Sequence, residues 1–253
     1  MHSPECYYPA MQTTSPGPLA RAWTALAEAL WPARCLGCGR RGPPFCPECW
    51  SALPRLRPPQ CPRCARPERG GTPCRACQRA DPALSAVRAP CSYTGAVRQA
   101  VRRLKYHQER HLAEPLAMLL IEALRARPLA VDAIVPVPLD RERAHARGYN
   151  QAALLAAPAA AALTLPVAAD ALQRTRATRS QVGLSARARR ANVRGAFACT
   201  DASAVAGRRV LLVDDVMTTG ATLEACASAL MAAGATSVWG LVVARDLPEG
   251  GTR

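Results

Sequence analysis

Apolar residues recur along this chain in two alternating rhythms, one with helical spacing and one of short uninterrupted runs, and their order predicts the fold. Leu19, Trp23, Leu26 and Leu30 predict a short amphipathic helix over residues 19–31 that Pro32 stops. Val97, Val101 and Leu104 form the apolar face of a helix whose other side carries Arg98, Arg102, Arg103 and Lys105. Leu112, Leu116, Leu119, Leu120 and Leu124 mark a second helix over residues 111–127. Residues 131–138, V-D-A-I-V-P-V-P, read as the first buried strand, ended by prolines that cannot donate to a ladder. The polar stretch L-D-R-E-R-A-H-A-R-G-Y-N-Q reads as the loop after it, and alanine-rich residues 152–169 as a core helix with its connection. A short strand begins at Phe197, residues 210–213 form the central strand, a helix covers residues 223–233, and residues 237–244 close the sheet. Apolar strands separated by helices predict an α/β fold with a mostly parallel sheet, because parallel strands are covered on both faces.

The rhythm is missing in two places. Residues 1–18 are rich in Pro, Ser and Thr and read as disordered. Residues 35–80 hold little apolar material, but they carry four Cys-x-x-Cys pairs: Cys35/Cys38, Cys46/Cys49, Cys61/Cys64 and Cys74/Cys77. Each pair can present two thiolates to one metal, and two pairs complete a closed tetrahedral site for structural zinc. The simplest pairing is sequential, Cys35 and Cys38 with Cys46 and Cys49, then Cys61 and Cys64 with Cys74 and Cys77; crossed pairing and a single metal remain open on spacing alone. Cys91, Cys199 and Cys226 lie among apolar or small residues and read as buried structural thiols. The expected organisation is a start segment with one helix (1–34), a zinc-ribbon-like module (35–80), a proline-bounded linker over residues 81–90, an α/β domain (91–245) and a tail (246–253).

Composition adds a bias toward anionic ligands. The 253 residues carry a formal charge of +15, and of 33 basic residues only Lys105 is a lysine. A compact ammonium differs from a guanidinium as a contact for phosphate or substrate, which singles Lys105 out as a ligand candidate. Residues 171–200 contain seven arginines and no acid, a loop suited to closing over a polyanion. No apolar run is long enough for membrane insertion, Arg21 and Glu28 interrupt the N-terminal apolar segment, and a cytoplasmic location is expected; twelve cysteines in a reducing compartment are not disulfides.

The remaining signal is V-L-L-V-D-D-V-M-T-T-G-A-T at residues 210–222. A buried strand delivers Asp214 and Asp215 at its carboxyl end, where open α/β sheets bind ligands, and the turn after it offers amides and hydroxyls at a helix N-terminus. Adjacent acids after apolar residues also occur in response-regulator receivers, but those acids lie near a domain start, and fewer than forty residues follow Asp215 here. The run resembles the phosphoribosyl pyrophosphate (PRPP) motif of type I phosphoribosyltransferases. That resemblance implies ribose contacts by Asp214 and Asp215 and a 5′-phosphate turn made by Thr218, Thr219, Gly220, Ala221 and Thr222. It also implies pyrophosphate contacts after the first strand, with Arg141, Arg143 and Arg147 as candidates there and Lys105, Arg174 and Arg179 elsewhere.

Taken with the tandem cysteine pairs, Leu-Lys-Tyr at 104–106, R-G-Y-N-Q at 147–151 and Thr-Arg-x-Thr-x-x-Gln at 175–181, the chain resembles the ComF family over about residues 30–245. The resemblance implies a type I phosphoribosyltransferase-like sheet with an N-terminal double zinc ribbon, structural zinc, PRPP with Mg²⁺ as ligand, and a link to DNA uptake in natural transformation. Three readings follow: a transferase of unknown acceptor, a PRPP or nucleotide sensor without turnover, and a DNA-binding competence accessory with a vestigial pocket. Non-specific single-stranded DNA and other competence proteins are the partners these readings imply. DNA contact is expected through Arg98, Arg102, Arg103 and the arginines of 174–194.

Overall fold

Residues 33–79, 82–176 and 185–247 are described by the structure, a computed structural model. The expected helix at 19–31, the polar segment before it and the tail from residue 248 lie outside them.

The apolar runs assemble into one parallel sheet. Strands β1 (Leu84–Arg88) and β2 (Cys91–Ser92) lie end to end along one side of the last strand in the chain, and β3 (Ala133–Pro136) forms the far edge. Strands β4 (Leu172–Arg174) and β5 (Phe197–Cys199) pair antiparallel in a separate ribbon. Strand β6 (Arg209–Met217) pairs with β3 on one side and β7 (Ser237–Arg245) on the other, giving the order β1-β7-β6-β3.

Five expectations change. The segment read as a linker contains the edge strand β1, with Leu84, Ala86 and Val87 buried; its short, bulged L-S-A-V-R run shows no clean period. The strand at 131–138 is third in chain order. Strand β7 is interior, flanked by β1 and β6, because spatial order in a parallel sheet does not follow chain order. Strand β5 belongs to the ribbon, so the arginine-rich stretch is largely structured, as β4, a helix (Ala186–Val193) and β5. The supposed loop after β3 holds a helix, Arg141–Arg147, whose first turn is capped by Asp140 accepting from the Glu142 amide at 3.2 Å.

In chain order the helices are α1 (Pro47–Ser51), α2 (Arg75–Gln78), α3 (Gly95–Tyr106), α4 (Ala113–Ala126), α5 (Arg141–Arg147), α6 (Gln151–Leu163), α7 (Ala186–Val193) and α8 (Ala221–Ala232). Alternation along β6 divides the core. Leu211 and Val213 pack with Leu104 of α3, Leu116 of α4 and Leu155 of α6, while Val210 and Leu212 pack with Leu223, Cys226 and Leu230 of α8. Among the described residues no helix is long and apolar enough to cross a membrane.

The cysteine module straddles the β1/β2 edge and borrows the domain's core. Phe45 and Leu53 join the α3/α4/α6 side, whereas Cys61, Cys64, Ala65 and Cys74 join the α8 side. Between them the chain hydrogen-bonds to β2 (Ser92 amide to Pro54 carbonyl, 2.9 Å), and Arg55 pairs with Glu122 of α4 at 2.6 Å. The Val87 amide of β1 donates to the Arg63 carbonyl at 2.8 Å.

Candidate functional site

Strand β3 ends opposite Val213, so the next two residues of β6 project past its end at the carboxyl edge of the sheet. Asp214 and Asp215 occupy those positions, and the strand's period sends them to opposite faces. Asp215 is 2% exposed and its Oδ1 lies 2.7 Å from Lys105 Nζ on α3, while its Oδ2 is buried without a hydrogen-bond partner. Burial alone would lower the ammonium's pKa, but the Asp215 and Asp214 charges outweigh it and raise it. Asp214 Oδ1 accepts the Asp215 amide at 2.8 Å. Desolvation, with the Asp215 charge added to it, raises the Asp214 carboxyl to about 7.

That shift has a testable sign. A carboxyl whose folded pKa lies above its unfolded value, about 3.9, costs no stability below that value. The cost grows as pH rises toward the folded value and is complete above it. Asp214→Asn is therefore expected to raise the melting temperature of the ligand-free protein at pH 8 and to change it little at pH 4.5, read by thermal denaturation at both pH values. A variant less stable than the parent at pH 8 would contradict this account of Asp214.

After Met217 the chain turns through Thr218, Thr219 and Gly220 into α8. Gly220 has φ 82°, in the left-handed region, so the turn needs glycine; a Cβ there would also meet Met217 Cε at 2.5 Å and push that methyl group aside. Thr218, Gly220 and the acid pair line a cleft of about 1020 Å³, whereas Thr219 lines a neighbouring cavity. The cleft's lining is cationic: Arg98, Arg102, Arg143, Arg147, Arg174 and Arg189 border it, as do Tyr93 and Tyr106. R-G-Y-N-Q shapes this lining. Gly148 (φ 74°) ends α5, the Tyr149 hydroxyl donates to the Leu104 carbonyl beside Lys105, and Asn150 caps α6 while its Nδ2 donates to Val137 at 3.0 Å. Arg147 hydrogen-bonds Gln151 and stacks 5.6 Å from the Tyr106 ring centre.

Lys105, Arg147 and Arg174 thus join the acids and the turn, as do Ala221 and Thr222 at the start of α8. Arg179 lies outside the described residues, and Arg141 begins α5 with its side chain outside them. Arg98 and Arg102, expected from the sequence as DNA contacts, also line the cleft. Arg98, Arg102 and Lys105 stand at i, i+4 and i+7 on α3, and that spacing was the signal that they share a face. Arg103 points elsewhere, 3.5 Å from Glu109.

The eight cysteines form two clusters with the sequential pairing, and within each the four sulfurs lie within 4.8 Å of one another. A tetrahedral ZnS₄ site with bonds of about 2.3 Å has sulfur edges of about 3.8 Å. Cys38 and Cys46 are separated by 3.8 Å and Cys64 and Cys74 by 3.9 Å, so both clusters fit zinc. Amides of Gly37 and Cys46 donate to Cys35 Sγ, and that of Cys74 to Cys61 Sγ, each at 3.4 Å. Burial opposes ionisation of Cys35 and Cys61, but these and neighbouring amides lower them to about 6 and about 7. Cys49 is pushed up to about 12, mainly by its hydrogen bonds with Cys46 and Cys35; burial and the Cys64 charge raise Cys77 as well. Each cluster thus contains thiols whose ionisation is opposed, and a divalent metal supplies the charge that offsets this. Of the remaining thiols, Cys91 and Cys226 are buried as expected, whereas Cys199 is only half-buried.

Residues 26–78 match the double zinc ribbon domain and residues 150–250 the phosphoribosyl transferase domain. The DNA utilization protein YhgH of Escherichia coli K12 is 35% identical over 184 residues, covering 70% of this chain and 80% of that protein. The chain belongs to the ComF family of phosphoribosyltransferase-domain proteins. Competence protein F of Haemophilus influenzae is 38% identical over 149 residues (56% of this chain, 65% of that one), and competence protein ComFC of Bacillus subtilis is 26% identical over 196 residues (75% and 78%). In this ComF-family chain the two Cys₄ clusters are the zinc sites of the double ribbon, and the acid pair lies in the transferase domain.

Proposed function

We propose that the cleft binds PRPP with Mg²⁺ and transfers its phosphoribosyl group to an acceptor. The carrying observation is the juxtaposition at one sheet edge of two adjacent carboxylates, an N-terminal helix turn shaped by Gly220, and six arginines. In this reading Asp214 and Asp215 accept hydrogen bonds from the ribose hydroxyls. The amides and hydroxyls of residues 218–222 receive the 5′-phosphate, favoured by the α8 dipole. Lys105, 2.7 Å from Oδ1 of Asp215, holds that side chain in place. Arg98, Arg102, Arg143, Arg147 and Arg174 face the pyrophosphate, where preorganised cations stabilise charge developing on the leaving group. Mg²⁺, bound with the substrate, neutralises further pyrophosphate charge. Calorimetric titration with PRPP and Mg²⁺, followed by a pyrophosphate-release assay across acceptor candidates, tests the reading. Binding without release under any acceptor would favour a sensor, and absence of binding would end both.

A role in handling DNA draws on the relatives' names and on the charge, and the structure adds a condition. Because Arg98 and Arg102 line the cleft, single-stranded DNA held by them must compete with PRPP. Fluorescence anisotropy is expected to show sequence-independent binding that weakens about twentyfold between 50 and 200 mM salt, for about three phosphate contacts. Saturating PRPP with Mg²⁺ is expected to displace the strand; salt-sensitive binding indifferent to PRPP would place DNA on another surface.

A further inference from the structure

The second zinc site and the phosphate turn border one cavity of about 1030 Å³, lined by Cys64, Cys74 and Cys77 and by residues 217–221, and one buried side chain that also lines it connects them, Arg245. Arg245, at the end of β7, is 3% exposed, and no described carboxylate pairs with it. Its Nε is buried without a hydrogen-bond partner, and its Nη1 donates to Met217 Sδ at 3.1 Å. A buried guanidinium needs a counter-charge. The sulfur-bearing residues Cys64, Cys74 and Cys77 line the same cavity as Arg245, with the Arg66 cation also at its edge, and their sulfurs act on the Arg245 guanidinium. With Zn²⁺ and four thiolates that centre carries two negative charges, and the Arg245 cation is placed to offset one of them. From Met217 the contact continues, since its methyl group fills the space beneath Gly220 and the register holds Met217 opposite Arg245. The first Cys₄ centre is on the other side of the sheet and has no such link.

We propose that Arg245 is a positioning residue that couples occupancy of the second zinc centre to the geometry of the phosphate turn. It offsets the thiolate charge on one side and fixes Met217, and through it Gly220, on the other. Metal in the Cys61/Cys64/Cys74/Cys77 centre then holds the turn ready for an anion, and an anion in the turn retards loss of that metal, because coupling between two sites is reciprocal.

The test uses the full zinc-loaded chain. Zinc release to a chromogenic chelator is followed together with mass-spectrometric alkylation of the freed cysteines, which assigns each released metal to its centre. Arg245→Met is expected to speed loss from the second centre by roughly tenfold or more, leaving the first unchanged as internal reference. Arg245→Lys, which keeps the charge, is expected to restore most of the difference. Hydrogen exchange of the amides at 217–222 in the unmutated protein is expected to rise as the second centre empties and not when the first alone does. Equal release from both centres in Arg245→Met, or a turn whose exchange ignores the second metal, would overturn the proposal; if Arg245→Met does not fold, the exchange measurement on the unmutated chain decides. A further arm rests on the PRPP reading: PRPP with Mg²⁺ should slow loss from the second centre selectively. If PRPP stabilises the protein yet leaves release unchanged, the coupling fails and the PRPP reading stands. If PRPP does not bind, that reading fails while the exchange result still decides the coupling.

Discussion

Chelating both zinc ions is expected to unfold residues 33–79 and to release the β1/β2 edge with them. Structural zinc binds such modules with an apparent free energy of about 10–16 kcal/mol near neutral pH, most of it expressed as folding. The module's own apolar contribution is small. Phe45, with Trp50 edge-on at 5.9 Å, and Leu53 face α3 and α4, and the buried residues of the second half are Cys61, Cys64, Ala65 and Cys74. Without metal, nothing offsets the cost of gathering four thiolates in each cluster. The loss should spread to the sheet, because Pro54, Leu56 and Arg63 supply backbone partners to Ser92, Pro90 and Val87. A chelator titration followed by hydrogen exchange should show protection vanish over residues 33–79 and then over 84–92, while α4, α6 and β6 keep theirs. Retained protection in the module after complete zinc removal would overturn this.

The second large effect is expected at Lys105. Its ammonium pairs with a carboxylate whose side chain is 3% exposed, and Lys105→Met leaves Asp215 buried without its counter-ion. Breaking a buried pair from one side costs about 3–5 kcal/mol, a fall in melting temperature of roughly 10 °C for a domain of this size. Lys105→Met combined with Asp215→Asn should recover most of that loss, since the penalty belongs to the orphaned charge and not to either side chain alone. Thermal melts of the two single variants and the double variant measure the coupling. A Lys105→Met protein as stable as the parent would show that the pair contributes nothing.

The chemistry was more legible in the sequence than the spatial arrangement. Strand, acid pair and turn could be read at residues 210–222 because all three are contiguous. The four cysteine knuckles were also legible, but spacing left their pairing open, and the fold brings together the sequential ones. Lys105 was singled out by its chemistry, although nothing local could show that it reaches Asp215, a contact spanning 110 positions. What escaped was long-range or short in extent. Strand β1 is five residues with a bulge, and it becomes a strand only because β7 lies beside it. The interior place of β7 follows from crossover connections that leave no trace in local pattern. Helix α5 was read as a loop since its R-E-R-A-H-A-R residues have no apolar face; Asp140 and Gly148 at its ends were the available signals. The cysteine module appeared to have no core, but it shares the core of the sheet.

The central claim, that the acid pair and the turn form a PRPP site, is tested most directly by the ligand-induced change in melting temperature. At a PRPP·Mg²⁺ concentration one hundred times Kd, stabilisation of about 2.7 kcal/mol is expected, or a rise of roughly 5–10 °C. In the protein carrying both Asp214→Asn and Asp215→Asn that rise should disappear, measured against the variant's own ligand-free melt because neutralising Asp214 shifts the baseline. An undiminished rise in the double variant would contradict the account.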